Sequence, residues 1–266
     1  MPPSEPRTVA LVTGASSGIG AAFADALAWG GSDLILVARR ADLLAERAGR
    51  LKADFGVEVE TLGADLADPE GLELACRRAA DERRLSMLVN NAGVGGITPF
   101  SDMQEGAIQQ MIALNVLALT QLTRAALPRL KARHGTVINV SSGAAFAVMA
   151  GAAVYGATKA YVTHFSRGLH EEVAQDGVRV QALIPGLTRT NLGGVGTDFF
   201  DRFPPDWVMS PEDLVDASLK GLELGELVCI PAIERPEDWT EVGDALQKLG
   251  MSVSSDHTAA RYRPEA

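Results

Sequence analysis

Thr13-Gly14-Ala15-Ser16-Ser17-Gly18-Ile19-Gly20 is the stretch that decides the fold of this chain. It follows the apolar run Val9–Thr13 and opens a stretch with helical periodicity, Gly18–Trp29. Between a strand and a helix, Gly14 permits a tight turn, Gly18 lets backbone approach a pyrophosphate, and Gly20 lets the helix pack closely on the sheet. The segment therefore predicts a phosphate-binding turn, although a glycine-rich turn without a ligand would contain the same residues.

The same alternation of strand and helix patterns recurs along the chain. Strands are predicted at Val9–Thr13, Leu34–Ala38, Val57–Leu62, Met87–Asn90, Thr136–Val140, Val178–Ile184 and Leu227–Ile230. Helices are predicted at about Gly18–Trp29, Ala41–Phe55, Pro69–Arg83, Asp102–Arg133, Ala153–Gln175 and Pro211–Leu224. This pattern is typical of an α/β fold: a single Rossmann-type, doubly wound sheet of about seven parallel strands with helices on both faces.

The domain organisation follows from where this alternation starts and stops. We expect a flexible N-terminus at residues 1–7, one domain at residues 8–250, and a polar C-terminal tail at residues 251–266. The alternation is interrupted at about residues 187–210, which we interpret as a flap over a substrate. The Pro-rich start lacks the basic and apolar regions of a signal peptide.

The composition favours a globular protein and argues against several kinds of partner. The 266 residues are 47% hydrophobic with a net charge of -10, which is unfavourable for binding nucleic acid or an anionic membrane surface. No apolar run approaches the roughly 18 residues of a membrane span. Cys76 and Cys229 are read as two reduced thiols, and the four histidines show no metal-ligand grouping. We therefore expect a cytoplasmic protein without a metal.

Five motifs in this order resemble those of the single-domain short-chain dehydrogenases/reductases, in the branch of the carbonyl reductases. They are Thr13–Gly20, Asn90-Asn91-Ala92-Gly93, Ser142, the pair Tyr155-x-x-x-Lys159, and Pro185–Thr190. The motifs span residues 13–190, and the strand and helix alternation extends the resemblance to about residue 230.

The resemblance implies catalytic roles for Ser142, Tyr155, Lys159 and Asn115. Lys159 lies four residues after Tyr155, so on a helix its ammonium can approach the phenol and lower a pKa that is ordinarily near 10. Tyr155 would then exchange a proton with the substrate oxygen, which the Ser142 hydroxyl would hold. Spacing within the family favours Ser142 over its neighbour Ser141. Asn115 would hold a water that links Lys159 to solvent, although a buried amide satisfied within the core would fit the same position.

The resemblance also implies a nicotinamide cofactor. NADP(H) is expected to be preferred, with NAD(H) possible, because the second strand runs into Arg39 and Arg40 instead of the carboxylate that accepts a ribose 2′-hydroxyl. Arg39 is the main candidate for the 2′-phosphate, and a solvated basic turn is the alternative. Asp65 either contacts adenine or caps the next helix. The candidate cofactor-binding residues are Gly14, Ser16, Ser17, Gly18, Ile19, Gly20, Arg39, Arg40, Asp65, Leu66, Asn91, Ala92, Gly93, Tyr155, Lys159, Pro185, Gly186, Thr188 and Thr190.

The substrate is expected to be an apolar ketone or aldehyde, or the corresponding alcohol. The candidate pocket residues are Ser142, Phe146, Met149, Leu192, Phe199 and Phe203, although the aromatic residues among them could equally pack on the domain or at a subunit contact. The long helices predicted at 102–133 and 153–175 resemble those with which the family forms homodimers and homotetramers. Two other functions remain open: a cofactor-binding sensor that regulates a partner, and an isomerase or dehydratase on the same scaffold.

Overall fold

A seven-stranded parallel sheet forms the centre of the protein. The structure, a computed structural model, describes residues 7–190 and 197–263. The strands of this sheet are β1 (Val9–Thr13), β2 (Asp33–Ala38), β3 (Val59–Gly63), β4 (Leu85–Asn90), β5 (Thr136–Val140), β6 (Arg179–Leu183) and β9 (Val228–Cys229). Their spatial order is β3-β2-β1-β4-β5-β6-β9, with every neighbouring pair parallel. The predicted fold class is confirmed.

The helices that follow the strands lie on both faces of this sheet. They are α1 (Gly18–Trp29), α2 (Ala41–Phe55), α3 (Pro69–Asp81), α4 (Glu105–Ile112), α5 (Leu119–Arg133), α6 (Ala153–Val173) and α7 (Pro211–Leu224). A further helix, α8 (Pro236–Ser252), follows β9 in sequence. One buried cluster joins α1, α2 and α7 to one face, and a second joins α3, α5 and α6 to the other. Successive β1 residues alternate between the two clusters, because strand side chains point to opposite faces in turn.

The strand order reverses beside β1, and this reversal positions the functional site. In register, Leu11 of β1 lies opposite Ile35 of β2 on one side and Leu88 of β4 on the other. The chain crosses over between these neighbours, so the turns after β1 and β4 diverge and leave a crevice at the carboxyl ends of the strands. Ligands of open α/β sheets bind in such crevices.

The helix predicted at Asp102–Arg133 is divided in the structure. A short 3₁₀ turn (Phe100–Asp102) precedes α4, and a π-helical turn (Ala113–Ala118) separates α4 from α5. By length and composition alone, the continuous stretch Glu105–Arg133 could cross a membrane. Leu122, Ala126 and Leu130 of this stretch are buried in the core, however, so it packs as a core helix of the domain.

The segment interpreted as a flap begins and ends in a small parallel ladder. β7 (Leu187–Thr188) pairs with β8 (Val208–Met209), and 3₁₀ turns occur at Thr197–Arg202 and Pro205–Trp207. A first compact unit ends at Pro231, before the boundary at residue 250 that we expected from the sequence. Residues 232–266 form a separate unit that contains α8 and a 3₁₀ turn at Ala260–Tyr262.

Candidate active site

A cleft of about 590 Å³ opens where the strand order reverses. Of the nineteen predicted cofactor-binding residues named above, all except Gly20 line this cleft. Ser142, predicted to be catalytic, lines it too. Eight lining residues were not predicted: Val37, Ala38, Ala64, Val94, Gln110, Leu114, Val140 and Ser141. Most of these follow directly from the fold, because they lie at or just after the carboxyl ends of β2, β3, β4 and β5.

The phosphate-binding turn is built so that only glycine fits. Gly14 and Gly18 have positive φ angles of 66° and 56°, which L side chains rarely adopt. A Cβ on Gly14 would lie 2.7 Å from Nδ2 of Asn91, and a Cβ on Gly20 would collide with the Gly14 carbonyl. Gly20 packs against the backbone of the turn and does not line the cleft. Its lack of a side chain lets α1 lie close to the end of β1.

The N-terminus of α1 is left open toward the cleft. Its N-cap residue, Ser17, makes no side-chain capping hydrogen bond, and the first turn of the helix contains no carboxylate. The positive end of the helix dipole is therefore not neutralised by the helix's own residues. This arrangement fits a phosphate, which accepts hydrogen bonds from backbone N–H groups at such a terminus.

The two arginines after β2 take different positions. Arg40 donates through Nη2 to the hydroxyls of Ser16 and Ser17 at 2.8 and 2.7 Å, so it spans the phosphate-binding turn. Arg39 lies 3.9 Å from the Asp65 carboxylate across the cleft, and more than half of its side chain is exposed. Asp65 also accepts from the backbone N–H of Ala67 at 2.9 Å. The N-cap of α3 is Asp68 and not Asp65, so the capping alternative for Asp65 is wrong.

Helix α6 carries Tyr155 and Lys159 on one face, as the spacing predicted. Lys159 is buried, donates through Nζ to the Val140 carbonyl at 2.8 Å, and lies 5.9 Å from the centroid of the Tyr155 ring. Burial lowers the pKa of Lys159 to about 8, because it disfavours the charged form. Near neutral pH the ammonium therefore remains mostly protonated.

The pKa of Tyr155 is shifted upward, opposite to the direction expected from its spacing to Lys159. Burial raises the pKa of the phenol, and a hydrogen bond with Ser142 opposes that shift. The phenol therefore holds its proton near neutral pH and sits beside a second hydroxyl in the cleft. This arrangement suits donation of a proton to a bound oxygen.

The structure distinguishes Ser142 from Ser141. Ser141 is buried, donates to the Lys159 carbonyl at 2.8 Å and shares a hydrogen bond of 2.8 Å with Thr163. Ser142 is the N-cap of a 3₁₀ turn and accepts from the Ala144 N–H at 3.2 Å. Ser141 thus attaches α6 to the end of β5, whereas the Ser142 hydroxyl contacts Tyr155.

Asn115 lies in the π-helical turn and is bonded within the protein. Its amide donates to the Val94 carbonyl at 2.8 Å and to Thr158 at 3.0 Å, and its Oδ1 accepts from the Val94 N–H at 2.9 Å. Thr158 in turn donates to the Tyr155 carbonyl at 2.8 Å. Both amide hydrogens of Asn115 are therefore engaged, and Thr158 links Asn115 to helix α6. The predicted water relay remains a prediction.

The loop after β6 contributes Pro185, Gly186, Thr188 and Thr190 to the lining of the cleft. The Pro185 carbonyl accepts from the Gly143 N–H at 2.9 Å, and Thr188 donates to the Gly186 carbonyl at 3.3 Å. A Cβ on Gly18 would lie 3.1 Å from the Thr190 methyl group. The end of this loop therefore lies against the phosphate-binding turn, and both segments line the cleft.

The predicted substrate pocket is less closely assembled. Phe146 and Met149 lie after β5 and are about half exposed. Phe199 packs edge-on against Phe200 and Phe203, with ring centroids 5.4 Å apart in both pairs. Among the described residues, the cleft lining does not include Phe146, Met149, Phe199 or Phe203. Leu192 lies outside the described residues.

No group of three or more His, Cys, Asp or Glu side chains within residues 7–190 and 197–263 has the arrangement of a metal site.

Comparison with known proteins places this geometry in context. Residues 8–197 match the family model described as short chain dehydrogenase. The very-long-chain 3-oxoacyl-CoA reductase of Anas platyrhynchos is 32% identical over 229 residues, which cover 84% of this chain and 72% of that protein. A solved short-chain dehydrogenase from Sphingobium yanoikuyae, in complex with NADPH, has a TM-score of 0.90 and 38% identity over 96% of this chain and 100% of that one. The bulky-bulky ketone specific alcohol dehydrogenase from Comamonas testosteroni has a TM-score of 0.88 and 36% identity over 97% of this chain and 99% of that one.

Proposed function

Because this chain belongs to the short-chain dehydrogenases, we propose that it is an NADPH-dependent reductase of apolar ketones or aldehydes, and that it oxidises the corresponding alcohols in reverse. The family assignment makes it an oxidoreductase that acts on carbonyl or alcohol groups. The observation that carries the proposal is the convergence of Ser142, Tyr155 and Lys159 on one cleft that also contains the phosphate-binding turn.

The residues of the cleft fit NADP(H). The uncapped terminus of α1 and the Gly14–Gly18 turn accommodate the pyrophosphate, and Arg39 and Arg40 lie at the end of β2, where the adenosine ribose of a dinucleotide is bound. The solved relative from Sphingobium yanoikuyae is in complex with NADPH. When bound, the nicotinamide supplies or accepts the hydride of the reaction.

The protein's part of the chemistry is to hold the substrate oxygen and move one proton. The hydroxyls of Ser142 and Tyr155 hold the carbonyl oxygen. In reduction, the Oη–H bond of Tyr155 breaks and a new O–H bond forms on the substrate, which leaves a phenolate beside the Lys159 ammonium. That cation stabilises the phenolate, since the two groups lie close together in a water-poor site.

The main test is turnover of purified protein with NADPH and a panel of aryl ketones, aliphatic ketones and aldehydes. We expect absorbance of reduced nicotinamide to fall with at least one apolar carbonyl compound. Binding of NADPH without turnover of any compound would contradict the proposal and favour the sensor function. Conversion of substrate without net oxidation of NADPH would favour an isomerase or dehydratase.

Preference for NADPH is expected to depend on Arg39. We predict that Arg39→Ala raises the KM for NADPH by about 10-fold or more, because a charge-assisted hydrogen bond contributes roughly 1.5–3 kcal/mol. The KM for NADH is expected to stay unchanged, since NADH has no 2′-phosphate. Steady-state kinetics with both cofactors measure this difference.

Arg50→Ala is the matched control for this prediction. Arg50 lies on α2, pairs with Asp25 at 2.6 Å, and is not among the residues that line the cleft. Arg50→Ala removes the same charge as Arg39→Ala but leaves the cleft unchanged, so the kinetic constants of this variant should match those of the wild type. Equal losses for NADH and NADPH in Arg39→Ala would contradict a contact with the 2′-phosphate.

The proposal of an apolar substrate rests on apolar side chains that lie near the site residues in sequence. Phe146 and Met149 are exposed apolar residues on the loop between Ser142 and Tyr155, and Phe199 and Phe203 follow the motif Pro185–Thr190 in sequence. The similar alcohol dehydrogenase from Comamonas testosteroni is described as specific for bulky-bulky ketones. We therefore expect aryl ketones to be better substrates than polyhydroxylated ones.

We also propose that the protein is cytoplasmic and assembles into homodimers or homotetramers. Ile112, Leu117 and Tyr161 are partly exposed on the helical layer formed by α4, the π turn and α6. Such a group of apolar side chains is suited to contact with a second copy. Size measurement in solution tests the assembly.

A further inference from the structure

The ring of Tyr155 rests against the backbone of Gly95. A Cβ built on Gly95 would lie 2.9 Å from Cε2 of Tyr155 and 3.2 Å from both Cδ2 and Cζ. These are contacts with one whole edge of the phenol ring. Carbon atoms in ordinary contact are separated by about 3.5–4.0 Å. Any side chain at this position would therefore force the ring or the loop to move.

The loop around Gly95 is held on both sides. Val94, the preceding residue, exchanges two hydrogen bonds with the Asn115 side chain, at 2.9 and 2.8 Å. Three residues after Gly95, Thr98 donates from its backbone N–H to the Gly151 carbonyl at 2.9 Å. A substituted loop is therefore anchored on either side of the new methyl group, and the ring is the part that yields.

The Tyr155 ring can rotate away from the Gly95 loop and toward the cleft. Its backbone is fixed by the Thr158 hydrogen bond to its carbonyl, but its side chain projects into the cleft beside Ser142. Pressure from the Gly95 side would rotate the ring away from the loop and change the distance between the two hydroxyls that hold the substrate oxygen.

We propose that Gly95 is a positioning residue for catalysis: the absence of a side chain there sets where the Tyr155 phenol lies relative to Ser142. The proposal rests on the proposed role of Tyr155 as proton donor. It assigns to Gly95 a task that lies outside cofactor binding, because Gly95 is not part of the cleft lining.

The first experiment compares Gly95→Ala with Gly96→Ala. Neither glycine has a positive φ, so alanine is compatible with both backbones, and a Cβ on Gly96 would meet nothing within 4 Å. Restoring an ordinary contact at Gly95 requires a shift of about 0.6 Å, and displacements of this order cost about 10- to 100-fold in rate. We expect kcat of Gly95→Ala to fall by that factor, with the Kd for NADPH within about twofold of the wild type. Gly96→Ala should retain the wild-type kcat.

The second experiment reads the phenol directly and needs neither cofactor nor turnover. The chain has three tyrosines, so Tyr161→Phe and Tyr262→Phe together leave Tyr155 alone. In this background the tyrosinate absorbance is titrated with and without Gly95→Ala, and with Gly96→Ala as control. The hydrogen bond from Ser142 lowers the pKa of Tyr155, so weakening it should move the midpoint upward in the Gly95 variant only.

Each outcome decides the proposal. A midpoint and kcat that are unchanged in Gly95→Ala would overturn it, as would equal losses in both alanine variants. Loss of the fold in Gly95→Ala alone, seen in thermal unfolding, would also overturn it, because Gly95 would then serve packing of the loop. If the wild type reduces no carbonyl compound, the proposed function fails, whereas the tyrosinate titration still tests the placement of Tyr155.

Discussion

Tyr155→Phe is expected to lower kcat by about three orders of magnitude while leaving NADPH binding largely intact. General acid–base catalysis typically contributes about 10²- to 10⁴-fold, and the variant removes the proton donor completely. The phenylalanine ring keeps the contact with Gly95 and the apolar surroundings, so the cleft retains its shape. Stopped-flow binding of NADPH and steady-state turnover measure the two quantities separately.

Tyr161→Phe is the matched control for this variant. Tyr161 lies on the same helix, its hydroxyl shares a hydrogen bond of 2.9 Å with Thr120, and its ring stacks on Phe165. It lies outside the cleft lining, so its loss should leave kcat within about twofold of the wild type. Near-wild-type turnover in Tyr155→Phe would refute the assignment of the proton donor.

The upward shift in the pKa of Tyr155 bears on the direction of the reaction. A phenol that keeps its proton is ready to donate it when a carbonyl is reduced. In alcohol oxidation the phenol must first lose its proton, so this direction is expected to gain activity as the pH rises. Rates of reduction and oxidation as functions of pH should therefore move in opposite directions.

Local patterns in the sequence were sufficient for the central part of the fold. The bounds of β1, β5, α1, α2 and α7 agree with the prediction residue for residue. Each of these elements is delimited by strong local signals: a buried apolar run, a glycine turn, or a proline at the first helical turn. The position of the cleft could be predicted from the same strand and helix patterns, because parallel strands bring their carboxyl ends to one edge of the sheet.

Features that depend on contacts between distant residues could not be predicted. The π-helical turn at Ala113–Ala118 has the same apolar composition as an α-helix, so periodicity did not reveal it. The engagement of Asn115 with Val94 and Thr158 joins residues 21 and 43 positions apart. Likewise, the bond from Arg40 to Ser16 and Ser17 requires the register of β1 and β2. The contact between Gly95 and Tyr155 is of this kind, although the glycine pair Gly95-Gly96, one residue after Asn91–Gly93, was a usable signal for a close approach.

Lys159→Met is expected to lower kcat by about 100-fold or more without lowering the free energy of unfolding. The activity loss follows from removing the cation beside the phenolate that forms in each turnover. The folded protein also gains stability, because methionine fills a similar volume and its burial removes no charged group from water. Against this gain, the Val140 carbonyl loses a hydrogen bond that contributes about 1 kcal/mol.

The effect on stability has a defined pH dependence. Burial lowers the pKa of Lys159 to about 8 in the folded protein, below the ordinary lysine value of 10.5. Between these two values the unfolded chain binds more protons, so the wild type gains stability as the pH rises through this window. Lys159→Met should therefore have its largest advantage at pH values below about 8, and the advantage should shrink toward pH 10.5.

Lys220→Met separates this effect from general loss of a lysine. Lys220 is exposed on α7 and pairs with Glu223 at 2.8 Å, so its replacement should leave kcat unchanged and should not reproduce the effect of Lys159→Met on stability between neutral pH and pH 10. Chemical denaturation near neutral pH and near pH 10 compares the three proteins. A Lys159→Met protein that is clearly less stable than the wild type at neutral pH would mean that the ammonium stabilises the fold. That result would contradict the argument that burial of the Lys159 ammonium destabilises the folded protein.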